Sequence, residues 1–587
     1  MNEKIENILM LALETDEEER EQTQNLNVGF DDETKRWEVI VKYHGSLDEL
    51  VNIGVSVEYL IAGYAILNVP EGLVESVAAL EQIEYVEKPK KYYYSELMPS
   101  EYSCILPLRL RETELSGKGV LIAILDSGID YSRDNFKNSS GETRIRFLWD
   151  QTLEPDWEAG LNSPEGFNMG VEFDGEQINR ALSEGRGFDI VPSLDTSGHG
   201  TAVAGIAASS IQSSAGYSGV AYASELIIVK LGRAKTDGFP RTTEIMRGVV
   251  YALQKAGELN MPLVINLSFG NSYGAHDGSS LLERFLDNAS EKWRTVICVG
   301  SGNEGDAAGH LAGNVADSNI AELSVASYEQ TLNVQLWKNY SDKYNITLIS
   351  PGGEVNVLPD NIENGKYVLR AGNTMLLIFF GEPSPYSVAQ EIYIDMIPRS
   401  GRYIDSGIWT FVIEAEKIVT GNYYFYLMSG GILNEGTGFY RPTPNMTMTI
   451  PSTSSKVLTV GAYDTRYDTY AAFSGRGYAD AGRTIGVVSA GLTKPDLVAP
   501  GVGITAPNLY GGYTAYDGTS FATPIVSGSA ALLMEWGIVR GNDPFLYGEK
   551  VKAYLRAGAE PLRGESEYPN DRVGYGKLCV ANSLPVL

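Results

Sequence analysis

GVLIAILDSGID, residues 119–130, begins with an unbroken apolar run from Val120 to Leu125 and stops at Asp126 in a glycine-bearing corner. A run with no polar alternation reads as a strand covered on both faces, the habit of parallel sheets flanked by helices. ELIIVKL (225–231), PLVINLSF (262–269) and TVICVGSG (295–302) repeat the pattern. Helices expected at 199–209, 242–258 and 279–291 alternate with these strands, which predicts an α/β domain built on a parallel sheet from about residue 96 to 310. The pattern resumes with SSKVLTVGAY (454–463), KPDLVAPG (494–501) and a long helix over 520–536.

Flanking and interrupting this domain are two stretches of different character. WEVIVKY (37–43), VSVEYL (55–60) and YAILNVP (64–70) read as strands, and GLVESVAALEQI (72–83) has helical apolar spacing. Residues 1–95 therefore form a small α+β unit, with YVEKPKKYYY (85–94) as an extended tail. Between residues 315 and 450 lie short Tyr-, Thr-, Val- and Ile-rich runs, among them LNVQLW (332–337), TMLLIFF (374–380), EIYIDMI (391–397) and IWTFVIEA (408–415). Glycine and proline punctuate them, the pattern of a β-sandwich or jelly roll inserted into the α/β domain. The expected division is 1–95, 96–314, 315–450 and 451–587.

Three corners of the α/β domain carry reactive side chains: Asp126, His199 in SGHGTAVAGIAAS (197–209) and Ser520 in DGTSFATPIVSG (517–528). Acyl transfer needs a nucleophilic hydroxyl, an imidazole base and a buried carboxylate that orients the imidazole. Asp126 ends a buried strand. His199 opens a helix of small residues, Ala202, Ala204, Gly205, Ala207 and Ala208, which can pack tightly on a sheet. Ser520 begins a helix, where backbone N–H groups face developing negative charge, and Pro524 falls in the first turn, where its missing donor costs little.

The chain order Asp, His, Ser, with the wording around each residue, resembles the subtilisin-like (subtilase, S8) serine proteases. The resemblance implies a subtilisin-like parallel-sheet catalytic domain and makes Asp126, His199 and Ser520 its triad. It makes Asn303, in VGSGNEG (299–305), the oxyanion-hole asparagine. Ser268, Phe269 and Gly270 on one side and Gly300, Ser301 and Gly302 on the other are expected to line the pocket for the residue before the cut bond. Residues 1–95 resemble a subtilase prodomain, a chaperone and inhibitor, with self-cleavage expected after about Ser95. In many subtilases a calcium site uses an Asp nine residues after the catalytic one. This chain has Asn135 there, and SSIQSSAGYSG (209–219) offers few oxygen ligands, so neither metal nor cofactor is expected.

Together with the inserted β-rich domain and the lack of a secretion signal, this architecture resembles the clostridial Csp germination proteases. That narrower resemblance implies a cytoplasmic enzyme packaged into spores, whose partners are its own cleaved prodomain and a cortex-lytic zymogen activated by limited proteolysis. A peptidase of broader specificity, or a prodomain-inhibited binding or signalling protein that keeps an intact triad, would show the same motifs. A net charge of −29 argues against nucleic acid or anionic lipid as a partner. The N-terminal apolar run ILMLAL (8–13) is too short for a signal peptide, and no stretch is expected to span a membrane. Cys104, Cys298 and Cys579 are odd in number and far apart, which predicts reduced thiols.

Overall fold

The computed structural model describes residues 4–23, 25–90, 103–105, 114–184, 187–210, 218–234, 239–358, 366–428, 431–478 and 493–584. Leu121–Asp126 lies inside a nine-stranded sheet, between Leu263–Leu267 and Glu225–Lys230 and parallel to both. Thr295–Gly300, Leu458–Asp464 and Leu497–Val502 extend the parallel run on one side and Ile145–Asp150 on the other. Alternate side chains of the central strand enter different cores, as the two-residue period of a strand requires. Val120, Ile122 and Ile124 pack with the helices His199–Ala208 and Thr519–Met534. Leu121, Ala123 and Leu125 pack with Thr242–Leu259 and Leu281–Ser290. The apolar run is continuous because both faces are covered.

The helix bearing Ser520 runs on as a π-turn, and Thr519–Val539 is long and apolar enough to cross a membrane by length and composition. Its most apolar window is 89% buried inside the protein, as befits a core helix.

The N-terminal unit is a five-stranded antiparallel sheet centred on Arg36–Tyr43. The helix expected over 72–83 is shorter. A 3-10 turn at Glu71–Leu73 leads into Val74–Ala78, and Ile83 instead begins a strand that pairs with Tyr43. Its helical spacing was coincident with a place in the sheet, and pairing decided.

Residues 310–439 form a six-stranded and a five-stranded antiparallel sheet. Both contribute to one core that includes Leu323, Leu336, Ile346, Ile378, Trp409 and Phe425. The first strand, His310–Asn314, starts upstream of residue 315 because it pairs with Asn422–Leu427. Leu377, Phe379, Tyr393 and Ile397 of this two-sheet unit share a second core with Leu9, Leu11, Trp37 and Val39 of the N-terminal unit.

The cysteine expectation is corrected. Cys104 and Cys579 are joined in a disulfide, with Cα atoms 4.8 Å apart across 475 residues of chain. Val580 N donates to Ser103 O (3.2 Å), so the fold lays residues 103–105 along the C-terminal helix Val580–Ser583. Sequence spacing carries no trace of that approach. Cys298 is a buried free thiol, pushed up to about 12 by burial.

Candidate active site

Asp126 ends its strand fully buried, and its Oδ1 lies 2.7 Å from His199 Nδ1. The same oxygen accepts from Ser127 N (2.7 Å). A carboxylate so placed fixes which imidazole nitrogen carries the proton and leaves the other unprotonated. The imidazole packs against Phe269 and Phe521, with ring centroids 6.0 and 5.3 Å away. Gly200 has to be glycine, because a β-carbon there would collide with Gly128 O and press on Asp126.

Asp195 supports this pair and carries no obvious signal in the sequence beyond standing four residues before His199. It is 4% exposed. Its Oδ1 accepts from Gly198 N (2.9 Å) and Ser127 Oγ (2.8 Å), and its Oδ2 from Thr201 N (2.9 Å) and Thr201 Oγ1 (2.6 Å). The carboxylate therefore caps the His199 helix where the dipole is positive and ties it to the residue after Asp126.

Ser520 is the second residue of its helix. Its Oγ donates to Ser268 O (3.1 Å), and Ser268 Oγ donates to Ser520 O (3.0 Å). The hydroxyl thus rests on a backbone carbonyl. Phe521, its neighbour in sequence, packs against the imidazole. Asn266 Nδ2 donates to Ser268 Oγ (2.9 Å), and Ser527 Oγ donates to Asn266 Oδ1 (2.8 Å), so a buried polar chain holds the strand end against the helix.

Asn303 follows the strand Thr295–Gly300, and its Oδ1 accepts from both Thr519 N and Thr519 Oγ1 (3.0 Å each). With the oxygen so engaged, Nδ2 faces Gly518, whose lack of a side chain makes room for it. Thr519 Oγ1 also accepts from Gly302 N (3.1 Å). Sequence reading missed Thr519 as the group that orients the amide, although it stands beside Ser520.

The six residues expected to line the pocket separate into two groups. Ser268 and Phe269 meet Ser520 and His199, and Gly270 faces Gly302 across the Thr449 side chain. Gly300 turns its open side to Thr519 and Thr523, and Ser301 Oγ turns to Ser474 Oγ (3.4 Å), so both support the site from behind. Ser95 and residues 211–217 lie outside the described residues. Asn135 Nδ2 donates to Ser209 Oγ (2.5 Å) and Tyr513 OH (2.8 Å), and its Oδ1 accepts from Arg133 Nε (3.1 Å). Among the described residues, one group of three metal-type ligands stands close together, Cys104, Glu560 and Cys579, and two of these are the disulfide.

Two family models match the chain: the Csp protease B prodomain over residues 3–90, and the subtilase family over residues 117–376 and 420–576. Among solved structures, the CspB protease of Clostridium perfringens is 35% identical with a TM-score of 0.73, over 82% of this chain and 95% of that one. Serine protease AprX of Bacillus subtilis (strain 168) is 34% identical over 161 residues, 24% of this chain and 32% of its own. Minor extracellular protease Vpr of the same organism is 23% identical over 482 residues, 80% of this chain and 52% of its own. The chain spans about half or less of the length of these two curated relatives.

Proposed function

The chain belongs to the subtilase family of serine proteases, and from that membership we propose an endopeptidase in which Ser520 attacks the scissile carbonyl. His199 takes the Ser520 proton and returns it to the leaving amine, while Asp126 holds the imidazole. The oxyanion is received by Asn303 Nδ2 and Ser520 N. The 2.7 Å contact of Asp126 with His199, beside the helix that presents Ser520, carries this reading. For attack, Ser520 Oγ must give up Ser268 O and present its proton to His199 Nε2.

The prodomain is read as a self-cleaved inhibitor, cut after about Ser95, and the chain as divided at residues 95, 314 and 450. Likeness to the Csp proteases supports a cytoplasmic, spore-packaged enzyme that activates a cortex-lytic zymogen by limited cleavage. Fluorophosphonate labelling and gel analysis of purified protein test the chemistry together. Wild type is expected to take the label and run as fragments 1–95 and 96–587, while Ser520→Ala stays whole and unlabelled. A single intact, unlabelled wild-type chain would remove both readings. Digests of an unstructured protein separate limited from broad specificity, since many cuts would exclude a dedicated processing enzyme.

A further inference from the structure

Thr449 belongs to none of the segments that carry the proposed chemistry, but its side chain stands between two that do. A β-carbon built on Gly270 would collide with Thr449 Oγ1, and one built on Gly302 would collide with the same oxygen and with Cγ2. Thr449 therefore fills the gap between the two glycines. Its backbone is pinned there: Thr449 N donates to Ser301 O (2.9 Å), and Thr449 O accepts from Ser452 N (2.8 Å) and Ser452 Oγ (2.5 Å). The next residue, Ile450, exchanges both backbone bonds with Asn271 (2.8 and 3.0 Å). These bonds fix the position of the backbone that carries the side chain.

The gap opens beside the reacting groups. Gly302 precedes Asn303, Gly270 lies two residues after Ser268, and Gly270, Gly302 and Asn303 are all partly exposed at its mouth. A peptide carbonyl held by Ser520 Oγ and Asn303 Nδ2 would send the side chain of the residue before the cut bond into this space. Resting on the protease reading above, we infer that Thr449 is the end wall of that space. Substrates are then polypeptides with a small residue, glycine, alanine or serine, on the N-terminal side of the cut.

A second observation refines the preference. Thr449 is 3% exposed, and its Oγ1 has no hydrogen-bond partner among the described residues. A buried hydroxyl left unpaired is costly, and a substrate hydroxyl that reaches it removes that cost. Serine is therefore preferred over alanine. The expected processing point after Ser95 satisfies the same rule.

The test uses full-length wild type, T449G, T449S and T449V. Each is treated with a fluorophosphonate, which reports Ser520 regardless of side-chain preference, and with peptidyl phosphonates differing only at the residue before the reactive group. With rates normalised to the fluorophosphonate, wild type is expected to react at least ~10-fold faster with alanine and serine probes than with leucine and phenylalanine probes. T449G should raise the two larger probes by a similar factor. T449V should keep the size limit and lose the ~2–10-fold advantage of serine over alanine. T449S, which retains the hydroxyl and drops a methyl, reads out the size limit if T449G fails to fold. A wild type that prefers leucine or phenylalanine, or labelled Thr449 variants with unchanged preference, would overturn this inference and leave the protease reading standing. A wild-type chain that stays both intact and unlabelled would overturn both.

Discussion

Asn303 shows how a single side chain can be fixed for chemistry by its neighbours. Both its Oδ1 bonds go to Thr519, so the amide has one orientation before any substrate arrives. Preorganised donors of this kind stabilise charge that exists only in the transition state, and Asn303→Ala is expected to lower turnover ~10²–10³-fold while leaving substrate binding near its original strength. Steady-state kinetics on a peptide substrate checks that split. Asp195 acts one step further back. Removing its carboxylate hydrogen bonds with Asp195→Ala should cost about 1–2 kcal/mol of stability in denaturant unfolding, as loss of a helix cap does. It should also lower turnover through a loosened His199. The proposed triad was legible as three motifs, because candidate reactive residues in glycine-rich corners carry a local wording. Asp195, Thr519 and Thr449 were not, because a supporting residue is defined by what it touches.

The helix His199–Ala208 illustrates the element scale. Its ten residues are all buried, so its small side chains are a condition of its place rather than a preference. Gly200 meets Gly128 O with no room for a methyl group, and the obstacle is backbone that cannot swing aside. Gly200→Ala should therefore cost about 1–3 kcal/mol, as overpacking does, and slow fluorophosphonate labelling by displacing the Asp126 and His199 loops together. Thermal unfolding and labelling rates on the same preparation check this. Among the strands, sequence reading placed the central parallel run closely, since burial on both faces leaves continuous apolar stretches. It overextended the 72–83 helix because Ile83 satisfies a helical period and a place in the sheet equally well.

For the whole molecule, the N-terminal unit is held from two sides. Arg247 bridges Glu38 (2.7 Å) and Glu58 (3.0 Å), and Lys90 N and O bond Thr242 Oγ1 (2.9 Å) and Thr242 N (2.8 Å), all against the catalytic domain. Its other face shares a core with the two-sheet unit. Where the three meet, Lys90 Nζ bonds Glu6 (2.9 Å) and Glu87 (3.0 Å) in a cavity of about 60 Å³ that Glu391 also lines. Burial, and then the Glu6 carboxylate, push Glu391 up to about 8 against the pull of Lys90, with Glu87 adding to the rise. An unfolded glutamate titrates near 4.5, so the folded protein holds the extra proton between roughly pH 4.5 and 8. The stability this group contributes is complete below that window and is lost as pH rises through it. Unfolding midpoints measured from pH 5 to 8 should fall with pH, and Glu391→Gln should flatten part of that slope.

The sequence by itself pointed to the protease family and to the class of the catalytic domain. Burial on both sheet faces writes itself as uninterrupted apolar strands, and the side chains of the proposed triad sit in short motifs whose neighbours are adjacent in the chain. Only the tertiary structure decided that Cys104 and Cys579 meet, that the N-terminal unit shares a core with the two-sheet unit, and that Thr449 stands between Gly270 and Gly302. Each of these joins residues more than about a hundred positions apart. Such contacts depend on how packed elements approach one another, and a linear pattern does not record that.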